Sequence, residues 1–215
     1  MKTILLKDAV ALIPDGASVM IGGFMGVGTP ERLVDELVRQ GKRNLTVIAN
    51  DNALPGIGIG KLISAGAVKK TIASHIGLNP ETQKKMLAGE LEVDLVPQGT
   101  LIERIRAGGF GLGGVLTPTG VGTVVEKGKQ RIEVEGKPYL LETALRADFA
   151  LVQAFAADYI GNLYYALTAR NFNPVIAMAA DTVIVDAEHI VPVGVIAPDD
   201  VVTPSPVVDY IISHA

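Results

Sequence analysis

The stretch that decides the fold is Asp15-Gly-Ala-Ser-Val-Met-Ile-Gly-Gly-Phe-Met-Gly-Val-Gly-Thr-Pro30. Its aliphatic run at 17–22 predicts a buried strand, and the glycines that follow predict a sharp turn. Thr29 and Pro30 then supply the expected N-cap and first residue of an α-helix. Backbone N–H groups in such a turn and the positive end of the helix favour an anion. The stretch therefore predicts a site for a phosphate or an oxyanion.

The rest of the chain repeats this alternation of short apolar strands and amphipathic helices. Further buried strands are predicted at Leu45–Asn50, Val68–Ala73, Leu91–Val96, Phe149–Phe155 and Thr182–Val185. Two more helices are predicted, one from Asn79-Pro80 and one over Gln98–Ala107 that Gly108-Gly109 would end. The glycine turns and alternating residues of Lys127–Leu141 predict an antiparallel hairpin. We therefore expect residues 1–215 to form a single α/β domain, an open, mostly parallel sheet with helices on both faces and a small antiparallel edge hairpin.

The composition excludes several classes of protein. The chain has no Cys among its 215 residues. This rules out a disulfide scaffold, a zinc ribbon and a cysteine nucleophile. A net charge of −4 and an aromatic content of 5% provide no broad basic or stacking surface for nucleic acid. His75, His189 and His214 are the only histidines and lack the spacing of metal ligands, so no metal site is predicted.

Neither an export signal nor a membrane span is predicted. Lys7 and Asp8 interrupt the apolar start of the chain, unlike the apolar core of a signal peptide. The uncharged stretch 107–125 contains seven Gly, and such a segment would expose backbone polar groups to lipid. We therefore expect a cytoplasmic location.

The glycine-rich turn alone leaves two interpretations open. It is not a Walker A loop, since no Gly-Lys-Ser/Thr follows, and it lacks the third glycine of the dinucleotide-binding fingerprint. It is either a ligand-binding loop or a plain tight turn. The sequence also contains no Gly-x-Ser-x-Gly elbow, which disfavours a hydrolase with a catalytic triad.

A resemblance supports the ligand-binding interpretation. The residues that carry it are Asp15, Gly16, Val19, Met20, Ile21, Gly22, Gly23, Phe24, Gly28 and Pro30. In these places the stretch resembles the signature of the family I CoA-transferases. Similarity to the family's α subunit, especially that of short-chain acyl CoA-transferases, continues over almost the whole chain. It is carried by the segments Ile48–Asn52, Ala73–Gly77, Val96–Arg106, Ala107–Gly111, Leu116–Thr123 and Ala169–Pro174.

The resemblance implies an enzyme that moves CoA between a short-chain acyl-CoA, such as acetoacetyl-, acetyl-, butyryl- or succinyl-CoA, and a free carboxylic acid. The family uses a ping-pong reaction through a glutamyl anhydride and a glutamyl-CoA thioester. The nucleophilic glutamate belongs to the β half, so no catalytic residue is expected in this chain. It also implies a β subunit as partner in a hetero-oligomer of αβ units, CoA thioesters as substrates, and no permanently bound cofactor. The glutamates of this chain are expected to be solvated surface charges: Glu31, Glu36, Glu81, Glu90 and Glu103.

The resemblance also implies which residues form the site. The CoA-binding loop would consist of Phe24, Met25, Gly26, Val27, Gly28, Thr29 and Pro30. By the same resemblance, Asn50, Gln98 and Gly99 would face the acyl group. Independently, Asn50 and Gln98 lie at the ends of predicted strands, at the edge where open α/β proteins bind ligands. Their alternative role is to form turns or cap helices.

Several roles stay open. The run Gly108–Gly114 either allows a close approach of ligand or partner, or is a flexible loop. The cations Arg104, Arg106, Lys69 and Lys70 either contact CoA phosphates or face solvent. The sequence does not decide which pair of acids is preferred. The alternative function is a non-catalytic ligand-binding or regulatory module of the same fold, because fold alone does not determine function.

Overall fold

The computed structural model describes residues 2–213. Its main sheet contains nine strands. These are β1 (Lys2–Ile4), β2 (Ser18–Ile21), β3 (Leu45–Asp51), β4 (Val68–His75), β5 (Glu92–Leu95), β9 (Ala147–Asp158), β10 (Leu163–Tyr164), β11 (Ala180–Val191) and β12 (Tyr210–Ile212). A second sheet contains β6 (Gly114–Thr117), β7 (Arg131–Val134) and β8 (Lys137–Thr143). The α-helices are α1 (Leu6–Ala11), α2 (Glu31–Arg39), α3 (Ile59–Ser64), α4 (Pro80–Leu87), α5 (Gln98–Gly109) and α6 (Asn173–Ala177).

The main sheet has a point where the strand order reverses. The order is β1-β12-β11-β9-β2-β3-β4-β5, and all these neighbours are parallel. The chain moves outward from β2 to β5, then returns to place β9 on the other side of β2. Ligands of open α/β sheets bind outside the carboxyl ends of the strands at such a switch point. The crevice beyond β2 and β9 is therefore where a site is expected.

The sheet is apolar on both faces, except at its edge strand β5. The sequence predicts a buried strand there, but β5 is largely exposed because it has only one neighbouring strand. Val19 and Ile21 of β2 pack in one apolar cluster, whereas Met20 between them packs in another. The first cluster takes residues from α1, α2 and α3, and the second from α5 and α6. Because neighbouring residues of a strand point to opposite faces, this division explains why the strands are continuous apolar runs. The predicted open parallel sheet with helices on both faces is confirmed.

The predicted hairpin within Lys127–Leu141 is also confirmed, as strands β7 and β8 pair antiparallel. It does not extend the edge of the main sheet. Strand β8 pairs on its other side with β6, which gives a separate three-stranded antiparallel sheet.

Two predicted helix ends are wrong. Helix α2 begins at Glu31, and Pro30 rather than Thr29 takes the cap position, without a capping side chain. Thr29 is buried instead. Helix α5 continues through Gly108 and Gly109. A Cβ on Gly108 would lie 2.2 Å from the carbonyl oxygen of Leu145, so these glycines allow close packing against the same chain. The first residues of the run 108–114 are thus not a flexible loop.

The predicted solvation of the glutamates fails at Glu36. Its side chain is buried and accepts hydrogen bonds from Arg39 at 2.5 Å and from Gln40 at 2.6 Å. These bonds, of which those from Arg39 have the largest effect, lower the pKa of Glu36 below its ordinary value.

The predicted start of α4 at Asn79 is confirmed, since the Asn79 side chain accepts a hydrogen bond from the backbone N–H of Thr82 at 3.0 Å. Within residues 2–213, no helix has the length and apolar character needed to cross a membrane.

Candidate active site

An open cavity of about 670 Å³ lies at the switch point of the sheet. It is lined by Phe24, Met25, Val27, Asn50, Gln98, Thr168 and Asn171. The first three come from the turn after β2, Asn50 lies near the end of β3, and Gln98 begins α5 after β5. The structure thus brings together side chains from both groups of residues that the sequence suggested. Thr168 and Asn171 are additions.

The turn after β2 closes on itself. Phe24 and Val27 exchange two backbone hydrogen bonds of 3.0 and 2.9 Å, and the amide of Thr29 donates to Gly26 at 3.2 Å. The side chains of Phe24, Met25 and Val27 remain exposed. The polypeptide therefore presents an apolar rim to the cavity on a backbone fixed by its own hydrogen bonds.

Gly26 and Gly28 give this turn its shape. Both have positive φ angles, 89° and 79°, in the region that glycine adopts without the steric cost of a Cβ. Within the described residues 2–213, neither backbone N–H donates a hydrogen bond. The turn therefore holds two backbone donors that no group of the described residues uses.

Two asparagines hold the turn from the opposite side. Asn171 accepts a hydrogen bond from the amide of Gly23 at 3.1 Å and donates to the carbonyl of Val27 at 2.9 Å. Asn173, which is fully buried, donates to the carbonyl of Gly28 at 2.8 Å and accepts from the amide of Gln153 at 3.0 Å. The segment 171–173 therefore fixes the turn to β9. Sequence reasoning noted this segment as part of the resemblance but assigned it no role.

A second network joins the ends of three neighbouring strands. The side-chain nitrogen of Gln98 donates to the side-chain oxygen of Asn50 at 2.8 Å. Ser74, in β4, donates to the backbone carbonyl of Asn50 at 2.7 Å and lies 3.0 Å from its side-chain oxygen. Asn50 is buried, whereas Gln98 is exposed. The two amides therefore form one wall of the cavity, and Ser74 supports it from behind.

Asp51 links this wall to the turn. It is buried, and its carboxylate accepts the amide of Met25 at 3.1 and 3.2 Å and the amide of Ala53 at 3.2 Å. Burial raises the pKa of Asp51 above its ordinary value, while the two amides and the nearby His75 oppose this shift. Sequence reasoning missed Asp51, although it stands between Asn50 and the next turn, where a carboxylate after a buried strand was a visible signal.

The other suggested residues lie away from the cavity wall. Thr29 and Pro30 are buried behind the turn. Gly99 is exposed in the first turn of α5, and a Cβ there would meet no atom within 4 Å. His189 stacks edge-on against Phe155, and His214 lies outside the described residues.

Of the four cations, three are engaged with groups of this chain. Arg104 donates to the carbonyl of Thr143 at 2.8 Å. Arg106 forms an ion pair with Glu103, and Lys70 forms one with Glu92. Lys69 is exposed.

A solved structure identifies the class of fold. An acyl-CoA transferase of Escherichia coli O157:H7, in a thioester complex with CoA, matches 98% of this chain with a TM-score of 0.87. The match has 24% identity and covers 46% of the solved chain. This chain thus spans about half the length of that transferase, and the two share the fold.

Sequence comparison then gives the family. A model described as coenzyme A transferase matches residues 3–214. The acetate CoA-transferase subunit alpha of Escherichia coli (strain K12) is 58% identical over 98% of this chain and 96% of its own length. The acetoacetyl-CoA:acetate/butyrate CoA transferase alpha subunit of Clostridium acetobutylicum is 52% identical over 99% and 98%. The chain belongs to the coenzyme A transferase family, which is a family of enzymes.

Proposed function

We propose that this chain is the α subunit of an enzyme that transfers CoA between a short-chain acyl-CoA and a free carboxylic acid. The observation that carries the proposal is the cavity, in which the turn after β2 faces the amides of Asn50 and Gln98. The similarity to α subunits of acetate and acetoacetate/butyrate CoA-transferases supports the substrate class. The same names favour an enzyme over a non-catalytic ligand-binding module.

The proposed reaction is a double displacement on a glutamate of a β subunit. The glutamate carboxylate attacks the thioester carbonyl, so that a C–O bond forms, the C–S bond breaks and CoA thiolate leaves. The thiolate then attacks the glutamyl carbonyl of the resulting anhydride and releases the first acid as its carboxylate. The second acid reverses these steps, first forming a new anhydride and then a new acyl-CoA. The thioester energy is conserved in covalent intermediates, which gives ping-pong kinetics.

The residues of this chain would bind and orient the substrates. The loop Phe24–Pro30 would bind CoA, with the unused amides of Gly26 and Gly28 available to its polar groups. Asn50 and Gln98 would face the acyl group, together with the backbone of Gly99, which follows Gln98 in the first turn of α5. Their uncharged amides donate hydrogen bonds to a carboxylate or to the oxyanion of a tetrahedral intermediate without adding charge. None of these residues would act as the nucleophile.

The surface around the cavity supports a partner chain. Apolar side chains are exposed after the carboxyl ends of β2, β9 and β11, at Phe24, Val27, Tyr159 and Val195. Leu167, beside the cavity, is 93% exposed. Exposed apolar groups that cluster at one edge are characteristic of an interaction site. We propose that the β subunit covers this edge and supplies its glutamate to the cavity, in a hetero-oligomer of αβ units.

Three further proposals complete this function. Residues 1–215 act as a single domain, with no permanently bound cofactor. The enzyme works in the cytoplasm, because a chain without Cys has no need of an oxidising compartment.

Reconstitution tests the proposed function. The chain is purified alone and together with its co-expressed β subunit, and transfer of CoA from acetoacetyl-CoA to acetate is measured. We expect turnover only with both chains, because the nucleophile is absent from this one. Robust turnover by the isolated chain, or none by the pair, would refute the proposal.

A further inference from the structure

Two residues with unusual backbone conformations share one acceptor. Met25 and Ala53 both have a φ of 51°, in the left-handed region that residues with a Cβ seldom occupy. The amides of both donate to the carboxylate of Asp51. One lies in the turn after β2 and the other follows β3. A single side chain therefore stabilises two strained positions on neighbouring loops at the same edge of the sheet.

This carboxylate lacks a cationic partner in direct contact. Within residues 2–213, no Lys, Arg or His nitrogen lies within 4.0 Å of Asp51. His75 stands opposite it in the register of β3 and β4. Asp51 is 3% exposed. Burying an ionised carboxylate without a counter-ion is unfavourable, and its hydrogen bonds only partly offset this. A residue chosen for stability alone would be uncharged here.

We propose that Asp51 is a positioning residue, whose carboxylate holds Met25 in its left-handed conformation and thereby fixes the Phe24–Val27 turn against the cavity. The side chain of the preceding residue, Asn50, contacts Gln98. Asp51 therefore couples the turn to the wall that holds these two amides. This inference rests on the proposed role of the turn in binding CoA.

A positioning role and a purely structural role predict different effects of Asp51→Asn on stability and on activity. Burial raises the pKa of Asp51, so its contribution to stability is present below the ordinary value of 3.8 and is lost as the pH rises through the raised pKa. Above the raised pKa, the ionised carboxylate thus lowers the free energy of unfolding. Asp51→Asn removes the charge and keeps the size, but it replaces one acceptor oxygen with an NH₂ group that cannot accept an amide.

The experiment uses the complex of this chain with its β subunit. For Asp51→Asn, we expect kcat/KM for the acyl-CoA to fall about tenfold, the size expected for one lost charge-assisted hydrogen bond. The kcat/KM for the free acid should change less than about twofold, because the acid reacts when CoA is already bound in the covalent intermediate. The melting temperature of the complex should not fall.

Asp148→Asn is the matched control. Asp148 lies at the opposite end of the sheet and accepts the amide and hydroxyl of Ser18, both at 2.7 Å. These bonds lower its pKa, so its ionised form stabilises the fold at neutral pH. The control should therefore lose thermal stability and keep both values of kcat/KM.

The outcomes are distinct. If Asp51→Asn changes neither value of kcat/KM, lowers both together with the melting temperature, or fails to fold, the positioning role is overturned. A second test is the double variant with Met25→Gly. Glycine adopts the left-handed conformation without strain, so Asp51→Asn should cost less in that background, and an undiminished cost would also overturn the role. A wild-type complex that transfers no CoA would instead refute the proposed function.

Discussion

Replacing Gly28 with Ala tests how the turn is fixed to the rest of the chain. A Cβ on Gly28 would lie 2.6 Å from the carbonyl oxygen of Ala169, 2.9 Å from its Cα and 3.0 Å from the side-chain nitrogen of Asn171. The first two of these atoms belong to the backbone, so a rotamer change cannot relieve the contact. Gly28 also has a φ of 79°. The variant therefore combines backbone strain with a steric clash.

The two effects give the expected magnitude. The left-handed conformation costs an alanine about 1–2 kcal/mol, and overpacking against a fixed neighbour costs about 1–3 kcal/mol more. Gly28→Ala should therefore lower the free energy of unfolding by about 2–5 kcal/mol. Gly16→Ala is the matched control, because Gly16 has a similar φ of 83° but a Cβ there would meet no atom within 4 Å. It should cost only about 1–2 kcal/mol.

Urea unfolding of both variants and of the wild type measures these differences. In the reconstituted αβ enzyme, Gly28→Ala should also lower kcat/KM for the acyl-CoA, because displacement of Asn171 moves the cavity wall. Gly16→Ala should leave this value unchanged. If Gly28→Ala loses no more stability than Gly16→Ala, the close contact of the turn with residues 169–171 is refuted.

Three other changes test separate parts of the structure. Gln98→Ala should lower kcat about 10²–10³-fold for every acid, as expected for a lost oxyanion donor, and leave the affinity for CoA unchanged. Steady-state kinetics measure kcat and calorimetry measures CoA binding. A wild-type kcat would contradict the placement of the acyl pocket. Asn173→Ala leaves buried polar groups without partners and should lower the free energy of unfolding, measured in urea, by about 2–4 kcal/mol. A loss below about 1 kcal/mol would contradict the hydrogen bonds assigned to the Asn173 side chain. The hydrogen bonds from Arg39 lower the pKa of Glu36 below its ordinary value of 4.5. The ionised carboxylate therefore stabilises the fold above pH 4.5, and this stabilisation is lost as the pH falls through the lowered pKa. Glu36→Gln should flatten this acid limb in urea titrations, and an unaltered limb would show that the pair does not control it.

The parallel sheet could be predicted because its strands are apolar on both faces. Runs such as 45–50 and 149–155 are continuous, and the structure buries alternate residues in opposite clusters. Strands β1, β10 and β12 were not predicted. They have only two or three residues, and a segment so short carries no periodicity. Strands β1 and β12 form by pairing with each other across almost the whole chain, and β12 also pairs with β11. Strand β10 instead pairs with nearby residues 156–157 of β9, but two residues are too few to show a pattern.

The helix ends show where local signals lose to packing. Gly108 and Gly109 are strong stop signals by propensity, yet α5 continues through them. The backbones of Leu145 and Met178 approach so closely that a Cβ would not fit. Glu36 is similar, since its position on a helix predicts solvation, but Arg39 and Gln40 provide the hydrogen bonds that allow its burial. The approach of Leu145 and Met178 involves segments remote in sequence, which the pattern of a single helix does not reveal. The partners of Glu36 instead lie at i+3 and i+4 on its own helix, so this signal was present in the local sequence.

The site could be predicted in part. The glycine pattern and the strand ends indicated the turn, Asn50 and Gln98, and the structure places them around one cavity. Thr168 and Asn171 were not indicated, because they reach the cavity from a segment remote in sequence. Asp51 was missed although a carboxylate at the end of a buried strand was a visible signal. Asn171 is 144 residues from Val27, to which it donates a hydrogen bond. The assignment of substrate groups to these side chains remains a prediction.

The central claim is that this chain binds and orients the substrates while a second chain carries the nucleophile. Incubation of the αβ enzyme with acetoacetyl-CoA and no acceptor acid should allow the glutamyl-CoA intermediate to accumulate. Mass spectrometry of the separated chains then locates the covalent CoA. The account predicts the adduct on the β subunit and none on this chain. An adduct on this chain, or an active enzyme that forms no adduct on either, would contradict it.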